Sequence, residues 1–345
     1  MSSNHQRVSI THLTAFFLVA FSILALTLGY WTFITRDSLL SRNDNPRALI
    51  AFNRIQRGSI LDRNGVTLAE SLGVPGDYVR HTDPASALVI GYSSFTYGLS
   101  GIEAAADSVL SGLNESDPTT RWWHYDVLDE PQLGHAITLT LDRDLQRSAY
   151  TALEGHPGTA VILDSTSGEI LAMASSPSFD PAQLETQFDS FTADSNGPLI
   201  NRATLGLYRA NDLINLFPRT LDLSQTPVLP IPVRPVEEKR ITPVHLAYLI
   251  AAVANAGVRP IPHLILKPDS LTSVGHTVAI ISPSDAADLY PLFASAYNAT
   301  TASGFEDETL GWYVAIESET QRIVVIVLEN SNANEAAALA SQLRR

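Results

Sequence analysis

GTAVILDSTSGEILAMASSPSFDP, residues 158–181, followed after a polar stretch by GPLINRATLGLY, residues 197–208, decides how this chain is read. Thr159 to Asp164 and Glu169 to Ala174 are apolar, β-prone runs. Between them, Ser165-Thr166-Ser167-Gly168 is a turn cluster whose glycine suits a positive φ. The spacing predicts a β-hairpin. Both arms are apolar throughout rather than alternating, so the pair is expected to be covered on both faces, at the heart of a domain rather than on its rim.

The rest of the chain bounds what such a domain can be. With 345 residues, 45% of them hydrophobic, there is material for a membrane anchor, one substantial domain and a smaller one. A formal charge of −14 and a pI near 5.0, with no basic patch, argue against nucleic acid and polyanionic surfaces as partners, because each phosphate contact calls for clustered Lys or Arg. Cysteine is absent, which removes disulfides, thiol nucleophiles and thiolate metal sites. Nine histidines are scattered without a His-Glu-x-x-His or an Asp/His cluster, and no glycine-rich phosphate loop occurs. No metal and no cofactor is expected.

Leu13 to Ile34 is an uncharged apolar run of 22 residues with Tyr30 and Trp31 near its far end. It reads as an uncleaved transmembrane anchor, residues 13–34, behind a tail at 1–12. Arg7 precedes the run and Arg36 and Arg42 follow it, so charge does not set its orientation. Arg54 to Ala69 predicts two short strands around the Asn64-Gly65 turn, with Arg57, Asp62 and Arg63 as a charge network fixing that hairpin. Trp122-Trp123-His124-Tyr125 is either a binding patch or interdomain packing, and packing is the preferred reading.

Further on, Ile137 to Leu141 is expected as a strand, and Asp142 as the cap of a helix Arg143 to Leu153 that buries Leu145, Ala149, Ala152 and Leu153. Gln183 to Asn196 is acidic and polar and reads as a surface segment. Pro218, Pro227, Pro230, Pro232 and Pro235 forbid a long helix between Asp212 and Thr242. Thr242 as N-cap, Pro243 at N1 and Gly257 at C′ bound a helix through Ala256. A second helix begins near Ser282-Pro283, with Pro291 kinking it. Strands Leu310 to Glu317 and Arg322 to Glu329 follow, and Asn334 to Leu343 is a terminal helix packing back on the sheet.

In wording and order these stretches resemble the class B penicillin-binding proteins. Residues 57–65 are similar to the Arg-Gly-x-Ile-x-Asp-Arg-Asn-Gly opening of that family's N-terminal domain, and Gly98 to Glu103 to its Gly-x-x-Gly-Leu-Glu. Thr140 to Gln146 looks like its Thr-x-Asp-x-x-Leu-Gln element, and residues 158–208 look like the opening of its transpeptidase domain. Asn255 to Val258 and Pro262 to Leu264 resemble its Asn-Gly-Gly and Pro-His-Leu turn. The resemblance implies an α+β architecture: a transmembrane helix, a reduced β-rich pedestal at 36–135, and at 136–345 a penicillin-binding or β-lactamase-like transpeptidase domain, an antiparallel sheet with helices lacking much of its helical subdomain. It also implies a single-pass protein of the cell membrane with its body outside the cytoplasm, working with other cell-wall synthesis or division proteins.

Acyl transfer in that family uses Ser-x-x-Lys for attack, Ser-x-Asn for proton shuttling and Lys-Thr-Gly on an edge strand. Here Asp212 stands where the serine is expected and Asn215 where the lysine is, while Asn298, Ala299 and Thr300 hold the place of Lys-Thr-Gly. Lys239 and Lys267 are the only lysines and neither follows a serine by three; Ser-x-Asn occurs only at Ser2 and Ser41. Asp212 near a helix start reads as a capping acid before it reads as a carboxylate nucleophile. The expectation is therefore no catalytic residue and no enzyme: a non-catalytic scaffold or regulator of peptidoglycan synthesis or division. The alternative is an active D,D-transpeptidase whose catalytic residues are displaced in sequence.

Overall fold

The computed structural model describes residues 2–31, 46–113, 117–128, 130–218, 221, 223, 225–238, 240–272, 276–302 and 309–343. They form two units, Met1–Asn53 and Arg54–Arg345. The first holds helix α1 (Ser2–Gly29) and a short helix at Pro46–Asn53. Within α1, His12–Gly29 has a mean hydropathy of 2.0 and none of it is buried. At 1.5 Å per residue such a helix is long and apolar enough to cross a membrane. The last residues of the expected anchor, 32–34, lie outside the described residues.

In the second unit, β1 (Ile60–Leu61), β2 (Thr67–Val74) and β3 (Asp77–Thr82) lead to β4 (Ile137–Leu139) and helix α2 (Arg143–Ala152). The central hairpin is β5 (Gly158–Asp164) and β6 (Ile170–Ser176), followed by helices α3 (Leu184–Ala193), α4 (Asn211–Ile214) and α5 (Pro243–Ala254). The chain ends through β7 (Ile265–Lys267), α6 (Pro283–Ala294), β8 (Tyr297–Ala302), β9 (Thr309–Glu317), β10 (Arg322–Glu329) and α7 (Ala333–Leu343).

The main sheet has the order β6-β5-β10-β9-β8 and is antiparallel throughout. Its two faces explain the unbroken apolar run of the hairpin. Val161 and Leu163 pack with Leu246, Ile250 and Val253 of α5 in one core, while Ala160 and Ile162 pack with Ala149 and Leu153 of α2 and Leu339 and Leu343 of α7 in another. A sheet with helices on both faces buries every side chain of an inner strand. The hairpin forms with Val161 opposite Met173 and Gly168 at φ 78.

One expectation needs correcting. β5 is an inner strand, but β6 is the edge of the ladder, and it is buried because other groups take up its free hydrogen bonds. Gln146, 1% exposed, accepts from Met173 N at 2.7 Å and donates to Met173 O at 3.0 Å and Ala85 O at 2.7 Å. Asp142 N and Thr140 Oγ1 donate to Leu171 O and Ile170 O. A capped edge offers no template for another strand.

The second sheet, ordered β7-β4-β1-β2-β3, crosses the boundary expected at residue 135, since β4 pairs with β1 on one side and β7 on the other. Arg57, Asp62 and Arg63 do not form one network. Asp62 accepts from the backbone N–H groups of Asn64, Val66 and Arg143, which fixes the Asn64-Gly65 turn, and Arg63 pairs with Glu169 on the central hairpin at 3.2 Å. Arg57 belongs to a separate cluster: its Nε donates to Glu103 Oε2 at 2.8 Å, and its Nη1 to Asp107 at 2.6 Å. Arg80 Nε donates to Glu103 Oε1 at 2.7 Å. Arg80 Nη2 lies 2.6 Å from the same oxygen, an ion-pair distance at an angle too oblique for a hydrogen bond. Burial lowers the Arg80 pKa, and Glu103 opposes that shift.

Other elements match or depart in detail. Asp142 caps α2 by accepting from Asp144 N and Leu145 N, as its position predicts. The polar segment 183–196 contains α3, whose Phe188 and Phe191 join Tyr92, Tyr97 and Phe179 in an aromatic cluster that its acidic composition hides. At the end of α5 the left-handed position is Ala256, φ 51, and Gly257 follows at φ 93 with its N–H on Ala252 O. Gly257 is thus C″ of a Schellman turn rather than C′. Trp123 is 51% exposed. Between Ile214 and Arg240 the described residues hold no helix or strand beyond turns and an isolated bridge, in keeping with the prolines there.

Candidate active site

The expected nucleophile turn is built from Tyr208 onward. Tyr208–Arg209 pairs with Arg240–Ile241, and the chain then turns into α4 with Ala210 as an N-cap that makes no side-chain cap bond. Asp212 lies in the first turn and is exposed; it is not the cap. Asn215 is the exposed C-cap. Leu213 and Phe217 are buried and hold the turn in place. Phe217 stacks on Phe293 of α6 at 6.1 Å, and Phe293 meets Tyr297 at the start of β8 at 6.1 Å. Burial pushes the Tyr297 phenol up, and the Asp212 carboxylate adds to the shift. Asp212 therefore faces the beginning of β8.

The structure brings part of the expected constellation together and separates the rest. β8 is the edge strand beside β9, and its residues alternate in burial. Tyr297 and Ala299 pack against the core that contains Trp312, and Thr301 Oγ1 accepts from Trp312 Nε1 at 2.9 Å. Asn298 and Thr300 lie on the other face, where Thr300 Oγ1 accepts from Ala333 N at the start of α7. Of the three expected positions on β8, then, Ala299 is on the core side while Asn298 and Thr300 are not, and Asp212 and Asn215 are exposed on the α4 turn. The alternation of a strand carries this information, but the sequence does not say which parity faces the helix.

A second polar group was not anticipated. Glu329 at the end of β10 accepts from Tyr208 OH at 2.7 Å and from Arg202 Nε at 3.1 Å. Burial and the Glu329 charge push the Tyr208 phenol well up, so it donates as a neutral hydroxyl. Tyr208 also meets Trp312 edge to face at 6.2 Å. Arg202 and Tyr208 could have been flagged as polar residues in the quoted Asn-Arg-Ala-Thr and Gly-Leu-Tyr stretch; their partner, more than 120 positions away, could not.

With this geometry in view, the comparisons are specific. Residues 57–135 match the family model for the penicillin binding protein A dimerisation domain, and residues 158–210 that for the penicillin binding protein transpeptidase domain. The chain is a relative of the class B penicillin-binding proteins. It is 31% identical over 189 residues to the peptidoglycan D,D-transpeptidase PbpA of Mycolicibacterium smegmatis, covering 50% of this chain and 38% of that one. It is 37% identical over 121 residues to the D,D-transpeptidase MrdA of Escherichia coli strain K12, covering 32% and 19%. The chain thus spans well under two thirds of these curated relatives. Among solved structures, the imipenem acyl-enzyme complex of penicillin-binding protein A from M. tuberculosis aligns with a TM-score of 0.70 at 18% identity, over 86% of this chain and 99% of that chain.

For a relative of penicillin-binding proteins, the expectation of a chain that is not an enzyme does not stand. The relatives are named as peptidoglycan D,D-transpeptidases, and the aligned structure is an acyl-enzyme complex. The physical reason is that absent Ser-x-x-Lys and Lys-Thr-Gly describe positions along a chain, whereas catalysis depends on which groups converge in space. Nor does anything among the described residues point to a scaffold role.

Proposed function

We propose that this penicillin-binding-protein relative works in peptidoglycan synthesis as a D,D-transpeptidase-type protein that takes penicillin and stem peptide beside α4 and the start of β8. The relatives' activity supports the reading most directly, since PbpA and MrdA carry the same D,D-transpeptidase designation. The reaction of that class is attack by a hydroxyl on a peptide carbonyl, release of the terminal residue, and transfer of the acyl group to an amine. Asp212 and Asn215 supply neither the hydroxyl nor an amine base, so on this reading the acylated hydroxyl lies outside the 211–215 turn. On this reading Asp212, Asn215, Asn298 and Ala299, which carry no hydroxyl, do not make the attack.

The test is binding of a fluorescent penicillin to the purified chain, chased with excess penicillin G, with denaturing gels and peptide mapping. Saturable label that the chase prevents is the expected result. Label that survives denaturation and maps to a Ser or Thr outside 211–215 establishes displaced acyl transfer. Absence of saturable label, beside a labelled MrdA control, overturns the reading.

A further inference from the structure

We propose that the cavity beside Tyr208 is a receptor for the ammonium group of a short peptide, with Glu329 as its acceptor. The cavity measures about 470 Å³, within the range of roughly 300–1,000 Å³ usual for small-ligand sites. It lies beside the 195–208 segment and the meeting ends of β9 and β10, and none of Asp212, Asn215, Asn298, Ala299 and Thr300 lines it. β8 enters beside Asp212 and leaves at Ala302, which pairs with Thr309 in the cavity wall. The cavity therefore lies at the opposite end of β8 from Asp212.

The chemistry of its wall selects the ligand. Oε1 of Glu329 already takes two donors, Tyr208 OH and Arg202 Nε, from residues that are 6% and 7% exposed. Those buried donors fix the carboxylate's orientation. Oε2 has no hydrogen-bond partner among the described residues, and Glu329 keeps 30% of its side-chain surface exposed. An ionised carboxylate accepts several N–H donors, and a charged donor gives the strongest bond. Arg202 already gives one charged bond, to Oε1, and its Nη1 and Nη2 donate to the carbonyls of Gly197 and Asn196, so these bonds leave Oε2 open to a second charged donor.

The rest of the lining suits a peptide. Ile200, Leu205, Leu207 and Leu310 offer an apolar bed for a side chain. Arg234 lines the same cavity, half-exposed, and its pairing with Glu237 at 3.5 Å is an exposed one of little strength. It is free to meet a carbonyl or carboxylate of the bound chain. Glu329 is the only acid in the described lining, which is too few oxygens for a metal ion.

The experiment is calorimetric titration of the full chain with glycyl-L-leucine and with N-acetyl-glycyl-L-leucine at pH 7, for wild type and Glu329→Gln. The glutamine keeps an oxygen for Tyr208 and Arg202 while replacing the free acceptor by an amide NH2. Saturable binding of the free dipeptide is expected, weakened at least tenfold by acetylation and at least tenfold by E329Q. Preloading with penicillin G should leave it unchanged, which separates this site from the one proposed for acyl transfer. Equal binding of the two dipeptides, no saturable binding, indifference to E329Q, or blockade by penicillin each overturns the proposal. If E329Q does not fold, the wild-type comparison of the two dipeptides decides alone.

Discussion

Glu103 carries the charge balance of the small N-terminal sheet. It is fully buried between Arg57 and Arg80, which are themselves 8% and 10% exposed. Removing one member of a buried ion cluster leaves charge without compensation and costs about 3–5 kcal/mol, more than the pair adds over an apolar replacement. Glu103→Ala should therefore lower stability by about that amount in urea titration, whereas Asp212→Ala, at an exposed position, should change it by less than about 0.5 kcal/mol and leave penicillin labelling within twofold.

His245 makes a pH prediction. Its Nδ1 meets Thr242 Oγ1 at 2.9 Å, its Nε2 is buried without a partner, and burial, with Arg259 nearby, lowers its pKa to about 4. Between 6.5 and 4 the unfolded chain binds the proton and the folded chain does not. Stability is thus fully present above pH 6.5 and falls as pH drops through that window, by about 1.4 kcal/mol per unit at most. His245→Asn should flatten the urea midpoint between pH 6.5 and 4.5; an unchanged slope would remove His245 as the cause. At this scale the sequence showed which residues were unusual but rarely their partners. Glu103 was visible inside its motif, yet nothing in the text told that Arg57 and Arg80 close on it from 46 and 23 positions away.

Among elements, the contrast lies between what a hairpin needs and what its edge needs. β5 and β6 were legible because apolar arms and a Gly168 turn are local information. The capping of β6 was not, because its agents, Thr140, Asp142 and above all the Gln146 side chain, lie about 30 residues earlier in the chain. Gln146→Leu would keep the volume and remove three hydrogen bonds, leaving Met173 N–H and two carbonyls unsatisfied at about 1–3 kcal/mol each. The expected loss is at least about 2 kcal/mol by chemical denaturation, with faster amide exchange at Met173. If Gln146→Leu is neutral, the edge is protected by packing alone. The same limit explains β8: alternation was readable in Tyr297 to Ala302, but the face that turns to Asp212 is set by the aromatic contact of Phe293 with Tyr297, a tertiary fact. The helix α3 was missed because its phenylalanines are diluted by acids and hydroxyls along the strip, and only the partner cluster reveals their common face.

For the whole molecule, the family placement and the α+β fold were legible in the motifs, while the boundary at residue 135 was not, since β4 and β7 both join the sheet that β1 begins at Ile60. The helix α1 gives a topology prediction: in spheroplasts, added protease should digest the body after residue 53 while α1 stays with the membrane, and a protected body would reverse the orientation. β5 has β6 as a neighbour within a few residues, but its other partner is β10, with Val161 opposite Val325, 164 positions later. Synthesis runs at about 5–20 residues per second, so roughly 8–33 s separate the appearance of these two strands. Throughout that time one whole side of this apolar inner strand is open to the next nascent segment or to a neighbouring polypeptide. Whatever delivers this protein to its compartment must therefore shield β5 from strangers until its last strands are made.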